Sequence, residues 1–252
     1  RAGSEGNWSY TATDPKKPVN YVSVYDAMRF TNWLTNGATT GADTETGMYT
    51  LSEGSAIPSN PTVGRNIDVN GTTLTGTGDL SGVTGTVWAL PSEDEWYKAA
   101  YYNVDTSEYS LYPNGSDTIT GAEANYYDPA HGYTAISLTD AISYAEEQNG
   151  TFDMGGNVFE WNDSLRTTWD GQDIGDSNAR SVRGGSFPSN TGTLASSGCR
   201  NYSGDIEYSY LGFRVAALSG LTAVPEPGTY AAAMGLLILV IGVWVRRGRR
   251  PL

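Results

Sequence analysis

Thiol and imidazole, the usual carriers of nucleophilic and redox chemistry, are nearly absent from this chain, which has one cysteine, Cys199, and one histidine, His131. A lone thiol forms no intramolecular disulfide, and a lone imidazole cannot build a histidine cluster around a metal. Guanidinium and aromatic chemistry remain. Arg183, Arg200 and Arg214 could grip a ligand carboxylate, or could be core arginines paired with acids such as Glu95 or Glu160. The tyrosines of Tyr101-Tyr102, Tyr126-Tyr127 and Tyr208-x-Tyr210 could stack on sugar rings, or simply pack.

The elements that would hold these residues are few. Ser23 with Asp26 three positions on opens a helix over about 24–35, with Ala27, Phe30, Trp33 and Leu34 on one face and Asn36-Gly37 as its stop. Ser92 with Glu95 makes a capping box for a second helix over about 93–102, whose buried stripe is Trp96, Ala99 and Ala100. Residues 38–87 carry Asn-Gly and Gly-x turn signals and only weak strands, and residues 104–180 read as loops. Ser181–Phe187 and Leu211–Ala217 read as paired strands separated by a polar loop. Thirty-one glycines with seven tryptophans and seventeen tyrosines fit an irregular, loop-rich α+β domain with bulky aromatic packing.

Residues 230–245 form an uncharged apolar run that reaches 18 residues with Gly228 and Thr229. As a helix that is roughly 27 Å long, just enough to span a bilayer. Arg246, Arg247, Arg249 and Arg250 follow and are expected to stay in the cytoplasm, which puts the bulk of the chain on the other side. Leaving out those four arginines takes the formal charge from −13 to −17, a field that excludes nucleic acid as a partner. Val224-Pro225-Glu226-Pro227 before the span, the span and the basic end together resemble the PEP-CTERM sorting signal of Gram-negative bacteria that make extracellular polysaccharide. That resemblance implies processing by an exosortase at the membrane, then the cell surface or the extracellular space. An ordinary single-pass anchor and a core helix are the other readings, the last disfavoured by the arginine cluster.

Five motifs in one order carry a second resemblance: Pro18-Val19-Asn20-Tyr21-Val22-Ser23, Leu90-Pro91-Ser92-Glu93-x-Glu95-Trp96, Gly156-Asn157-Val158-Phe159-Glu160-Trp161, Arg183-Gly184-Gly185-Ser186-Phe187 and Gly212-Phe213-Arg214-Val215. Together they resemble the formylglycine-generating enzyme, or sulfatase-modifying factor, family. The resemblance implies an α+β, C-type-lectin-like fold over residues 18–218. Residues 1–17 are then the remnant of a missing N-terminal part, because nothing before Pro18 matches the family's early strand and no leader precedes it. Residues 219–252 form the sorting segment, with its helix over about 228–245 and its basic tail over 246–250.

Active members of that family use two cysteines five apart, after the Gly-Gly-Ser-aromatic motif, to bind copper and oxidise a sulfatase cysteine to formylglycine. Counted from Phe187 those positions fall near Ser189 and Leu194, neither a cysteine, so no copper is expected. Cys199 lies further on, with a buried packing role. Iron-dependent sulfoxide synthases of the same fold need several histidines, and His131 in Pro129-Ala130-His131-Gly132 reads as an exposed loop residue. The resemblance also implies a structural Ca2+ at Asn157 and Glu160 with carbonyls of Gly155 and Val158, and a second site from Asn125 and the Tyr126 carbonyl. The alternative is that Asn157 and Glu160 hydrogen-bond the turn around Trp161. The function expected from all of this is a non-catalytic surface module that binds an exopolysaccharide or a surface protein. The alternative is a copper-dependent oxidase of sulfatase cysteines.

Overall fold

Ser23 and Ser92 start the two main helices as their spacing predicts, each side chain accepting a hydrogen bond from the backbone of the third helical residue, whose carboxylate accepts one from the cap's backbone amide. The structure, a computed structural model, describes residues 14–51, 86–129, 132–134, 137–166, 168–169, 172–173, 176 and 178–218, and short strands at 2–4, 7–9 and 63–65. In chain order the elements are β1 (Ala2–Ser4), β2 (Asn7–Ser9), α1 (Val24–Thr35), β3 (Tyr49–Leu51), β4 (Val63–Arg65), β5 (Val87–Ala89) and α2 (Glu93–Tyr101). Then follow β6 (Tyr102–Asn103), β7 (Glu108–Tyr109), β8 (Tyr127–Asp128), β9 (Tyr133–Thr134), β10 (Phe159–Leu165), β11 (Thr168–Trp169), β12 (Gln172–Asp173), β13 (Arg180–Arg183), α3 (Thr191–Leu194), β14 (Arg200–Tyr202), β15 (Leu211–Gly212) and β16 (Ala216–Leu218). His131, the apolar run 228–245, the Pro-Glu-Pro segment and the four tail arginines lie outside the described residues. Among those described, no helix is long and apolar enough to cross a membrane.

One four-stranded sheet, in the order β14-β13-β10-β15, organises the domain, and the other strands form two-stranded pairs. β10 falls in a region that reads as loop. Its first four residues are all buried, so the alternation that betrays a half-exposed strand is missing. The expected pairing of the 181–187 and 211–217 segments is also corrected: β13 runs antiparallel to one side of β10, and β15 runs parallel on its other side. The second segment then breaks, and β16 leaves to pair with β5. A bulge between Trp161 and Leu165 bends β10.

Helix α1 buries a face rotated from the expected one: Val24, Ala27, Met28, Thr31 and Thr35 are inside, while Phe30 is 41% exposed. The rotation follows from Asn32. Its side chain donates to the carbonyls of Thr44 and Tyr49 and accepts from the Tyr49 amide, so a buried amide ties the helix to the backbone of β3. Phe30 instead meets Phe213 edge-on at 5.5 Å. Asn32→Ala is expected to cost about 2–3 kcal/mol, because it removes three hydrogen bonds of a buried side chain at once, and urea unfolding measures it. Leu90, Trp161, Val182 and Leu211 join the helix in the main core. Each large apolar side chain so buried contributes about 1.5–3 kcal/mol.

Candidate functional site

The Gly-Asn motif and the Arg-Gly-Gly-Ser motif meet through bare backbone. Gly156 donates to the Gly184 carbonyl at 2.8 Å, and a Cβ on Gly184 would stand 2.6 Å from the Met154 carbonyl. Both glycines have positive φ, of 83° and 89°, so only residues without side chains bring the two turns this close. The approach aims β10 and β13 so that Glu160 and Arg183 stand opposite each other in register.

These two residues do not pair with each other. Glu160 is 5% exposed, and its carboxylate accepts from the Trp96 ring nitrogen at 2.6 Å and from the Arg214 Nη2 at 2.6 Å, with the Arg214 Nε on the remaining side. Burial disfavours the charge on Arg214, and Glu160, Glu147 and Asp153 more than offset that, leaving its pKa above the ordinary value. Arg183 pairs with Glu93, donates to the Ser196 and Gly198 carbonyls at 2.7 Å each, and lies 5.1 Å from the centre of the Tyr97 ring. Glu95, one of the expected arginine partners, caps its own helix. Arg200 is exposed. Two of the three motif arginines thus clamp α2 and the motif loops to the sheet.

Asn157 and Asn125 come together as a pair. The Asn157 side-chain oxygen accepts from the Asn125 amide at 3.2 Å and from the Thr139 backbone at 3.1 Å, and the Asn157 amide donates to the Thr139 carbonyl. Asn125 Oδ1 and Thr139 Oγ1 are buried and have no hydrogen-bond partner. Gly155 and Val158 flank Asn157 in the same buried turn, and Tyr126, 1% exposed, packs with Ala124 beside Asn125. The two residues expected to share one calcium therefore direct their oxygens to different neighbours, Asn157 towards Asn125 and Glu160 towards Arg214. No group of three or more His, Cys, Asp or Glu suited to a metal ion occurs among the described residues.

At Ser189 and Leu194, near which the resemblance puts the family's copper cysteines, the Ser189 hydroxyl bonds the amide and hydroxyl of Ser186, and Leu194 is fully buried against Tyr112 and Tyr126. Cys199 is 5% exposed, with its sulfur 3.3 Å from the Ser181 hydroxyl. Hydroxyl and alkyl groups do not replace a thiolate pair on a soft ion, so the residues do not fit copper. Of the tyrosine clusters, Tyr101 and Tyr126 are buried, whereas Tyr127 and Tyr208 are exposed.

Sequence reasoning missed two acids here, Glu147 and Asp153. Glu147 accepts from the Met154 amide and the Thr151 hydroxyl, and Asp153 accepts from the Ile142 amide at 2.7 Å. The only signal for Asp153 was its place directly ahead of Met154-Gly155-Gly156. Burial pushes both carboxyls above their ordinary values of 4.5 and 3.8. A carboxyl that holds its proton more tightly when folded gives stability that is full below its unfolded pKa and is lost as pH rises through the folded one. These two groups should therefore raise Tm as the pH falls from neutrality towards 4.5, and Glu147→Gln should flatten part of that slope in a thermal series.

The comparisons agree with this geometry. The family model described as the sulfatase-modifying factor enzyme 1-like domain matches residues 2–218, starting ahead of the boundary expected at Pro18 and taking in the β1–β2 hairpin. No curated protein matches. Among solved structures, CarF is similar with a TM-score of 0.56 at 22% identity, over 84% of this chain and 72% of that one. Treponema denticola variable protein 1 is similar with a TM-score of 0.56 at 21% identity, over 85% of this chain and 76% of that one. Those identities show a shared fold. With its motifs assembled in this order around one sheet, the chain belongs to the sulfatase-modifying factor enzyme 1-like (FGE-sulfatase) domain family.

Proposed function

We propose that this protein is an exported, surface-sorted member of its family that binds a glycan or a protein partner and carries out no oxidation. The observation that carries the reading is the replacement of the copper pair. Ser189 is committed to Ser186, Leu194 is sealed in an apolar cluster, and the single thiol of Cys199 is buried beside Ser181. The Val224-Pro225-Glu226-Pro227 segment, the apolar run and the terminal arginines support delivery to the surface through an exosortase.

Two assays run together test it. Incubated with copper and a sulfatase-derived cysteine peptide, the protein should give no aldehyde mass shift, and a turnover-dependent shift would overturn the reading. Incubated with extracted exopolysaccharide or with surface proteins of the producing cell, it should be retained, and retention by neither would remove the binding role.

Calcium belongs to the same proposal as a structural ion at the Asn125–Asn157 end, with the Tyr126, Gly155 and Val158 carbonyls within the same turns. The unpartnered Asn125 Oδ1 and Thr139 Oγ1 are hard oxygens that such an ion would satisfy. Glu160 is left out of that set because its carboxylate is already answered by Arg214 and Trp96. Saturating calcium should raise Tm by several degrees, and an identical Tm in calcium and in chelator would refute the site.

A further inference from the structure

A cavity of about 480 Å3 opens beside the Glu160–Arg214 pair, a volume in the range of small-ligand sites. Its walls include Val19, Ile142, Phe152 and Phe213, and its polar lining includes Thr151, Asp153, Asn157, Glu160 and Arg214. The proposed calcium turn reaches this cavity at Asn157 and Val158, and the rest of its lining carries no assigned ligand.

The apolar walls have exposed surface to offer, because Ile142 is 65% and Val19 47% exposed, and Phe213 and Phe152 are only partly buried. Phe213 is steadied edge-on by Phe30 at 5.5 Å, so one ring stands at the rim in a fixed attitude. An aromatic plane of this kind suits the C–H face of a sugar ring.

The polar groups are only partly spent. Asp153 receives a hydrogen bond on Oδ2, from Ile142, and Oδ1 receives none. Arg214 uses Nε and Nη2 on Glu160 and Phe152, and Nη1 makes no hydrogen bond. An acceptor and a donor are thus left in one cavity, the arrangement that a pair of ring substituents would satisfy.

The local field gives the sign. Asp153 and Glu160 are the acids of the lining and Arg214 its one cation, and Glu160 is answered by Arg214. The carboxylate left over is that of Asp153, which favours a positive group over a uronate or a phosphate. Ile142, Asp153 and Asn157 also hold positive φ, at 63°, 54° and 61°, so half of the six such non-glycine residues among those described line this one cavity. Strain of that kind persists only where the surroundings enforce it, and here it keeps the Asp153 carboxyl beside the Ile142 wall.

We propose that this cavity is a glycan subsite for an amine-bearing sugar ring, with the ring face on Phe213, the ammonium at Asp153 and a hydroxyl at the free Arg214 nitrogen. The proposal rests on the binding reading above and gives it a place and a ligand class.

Titration of the full chain in detergent with a glucosamine tetramer, its N-acetylated counterpart, an oligogalacturonide and a lysine-rich peptide tests it. The glucosamine tetramer should bind, and should bind at least tenfold more tightly than the other two sugars. Asp153→Asn, which keeps an acceptor for Ile142, should weaken it about tenfold, the loss of one charge-assisted contact, with Tm unchanged or raised. Tyr208→Ala, on the separate tyrosine surface, should leave binding intact. Equal affinity for all three sugars, or preference for the oligogalacturonide, would overturn the ligand class. If the peptide outcompetes the glucosamine tetramer, the cavity is a protein-docking site and the glycan assignment falls. Binding lost in Tyr208→Ala but kept in Asp153→Asn would overturn the cavity while leaving a binding module. Failure of the exopolysaccharide and surface-protein assays would remove the parent reading instead.

Discussion

Arg214→Ala is expected to lower stability by about 3 kcal/mol, because it leaves the Glu160 carboxylate buried with the Trp96 ring nitrogen as its remaining side-chain donor. The lower end of the range for a broken buried pair applies, since the arginine side chain is 27% exposed. For a domain of this size that is a fall in Tm of roughly 6–12 °C by calorimetry. Most of the cost is the unpaired charge and not the lost bond. The double variant Glu160→Gln with Arg214→Met should therefore lose less than Arg214→Ala alone, since Gln still accepts from Trp96 and no uncompensated charge stays behind. A cost below about 1 kcal/mol for Arg214→Ala would mean that water reaches Glu160, and the clamp between the last motif and β10 would lose its significance.

Gly156→Ala is expected to cost about 3 kcal/mol, for two separable reasons. The position has φ of 83°, where any Cβ is strained, and the new Cβ would stand 2.3 Å from the Asn125 carbonyl oxygen. The second is backbone and cannot rotate away. Gly37, at φ of 93° with nothing within 4 Å, isolates the first, so Gly37→Ala should cost only about 1 kcal/mol. Denaturant midpoints of the two variants, compared at constant slope, measure the difference. Because Gly156 bridges Asn125 in parallel register, its substitution should also abolish any calcium-dependent rise in Tm. Equal costs at the two glycines would mean that the turn relaxes, and that the Asn125–Asn157 arrangement is not rigid.

Local signals were readable wherever a short stretch of chain settles its own conformation. Ser23 with Asp26 and Ser92 with Glu95 close their capping boxes within one turn, so both helices stand where their spacing puts them. The absence of a thiolate pair at Ser189 and Leu194 is likewise a fact of residue identity, and the order of five short motifs carried the family.

The partners of buried charges were not readable. Arg183 chose Glu93 over Glu95 because Glu95 was already spent on its cap, and Glu160 went to Arg214, 54 residues away. Which face of α1 is buried was decided by Asn32 and the β3 loop, against the run of aromatic side chains. The strand β10 was invisible because both its faces are covered, which erases the alternation a sequence can show. Residue type and short spacing thus settled the helices, the family and the lack of a cysteine pair at Ser189 and Leu194. Only tertiary structure decided the charge pairs, the strand order and the cavity at Asp153, because those depend on contacts between segments distant in the chain, whose geometry no local pattern encodes.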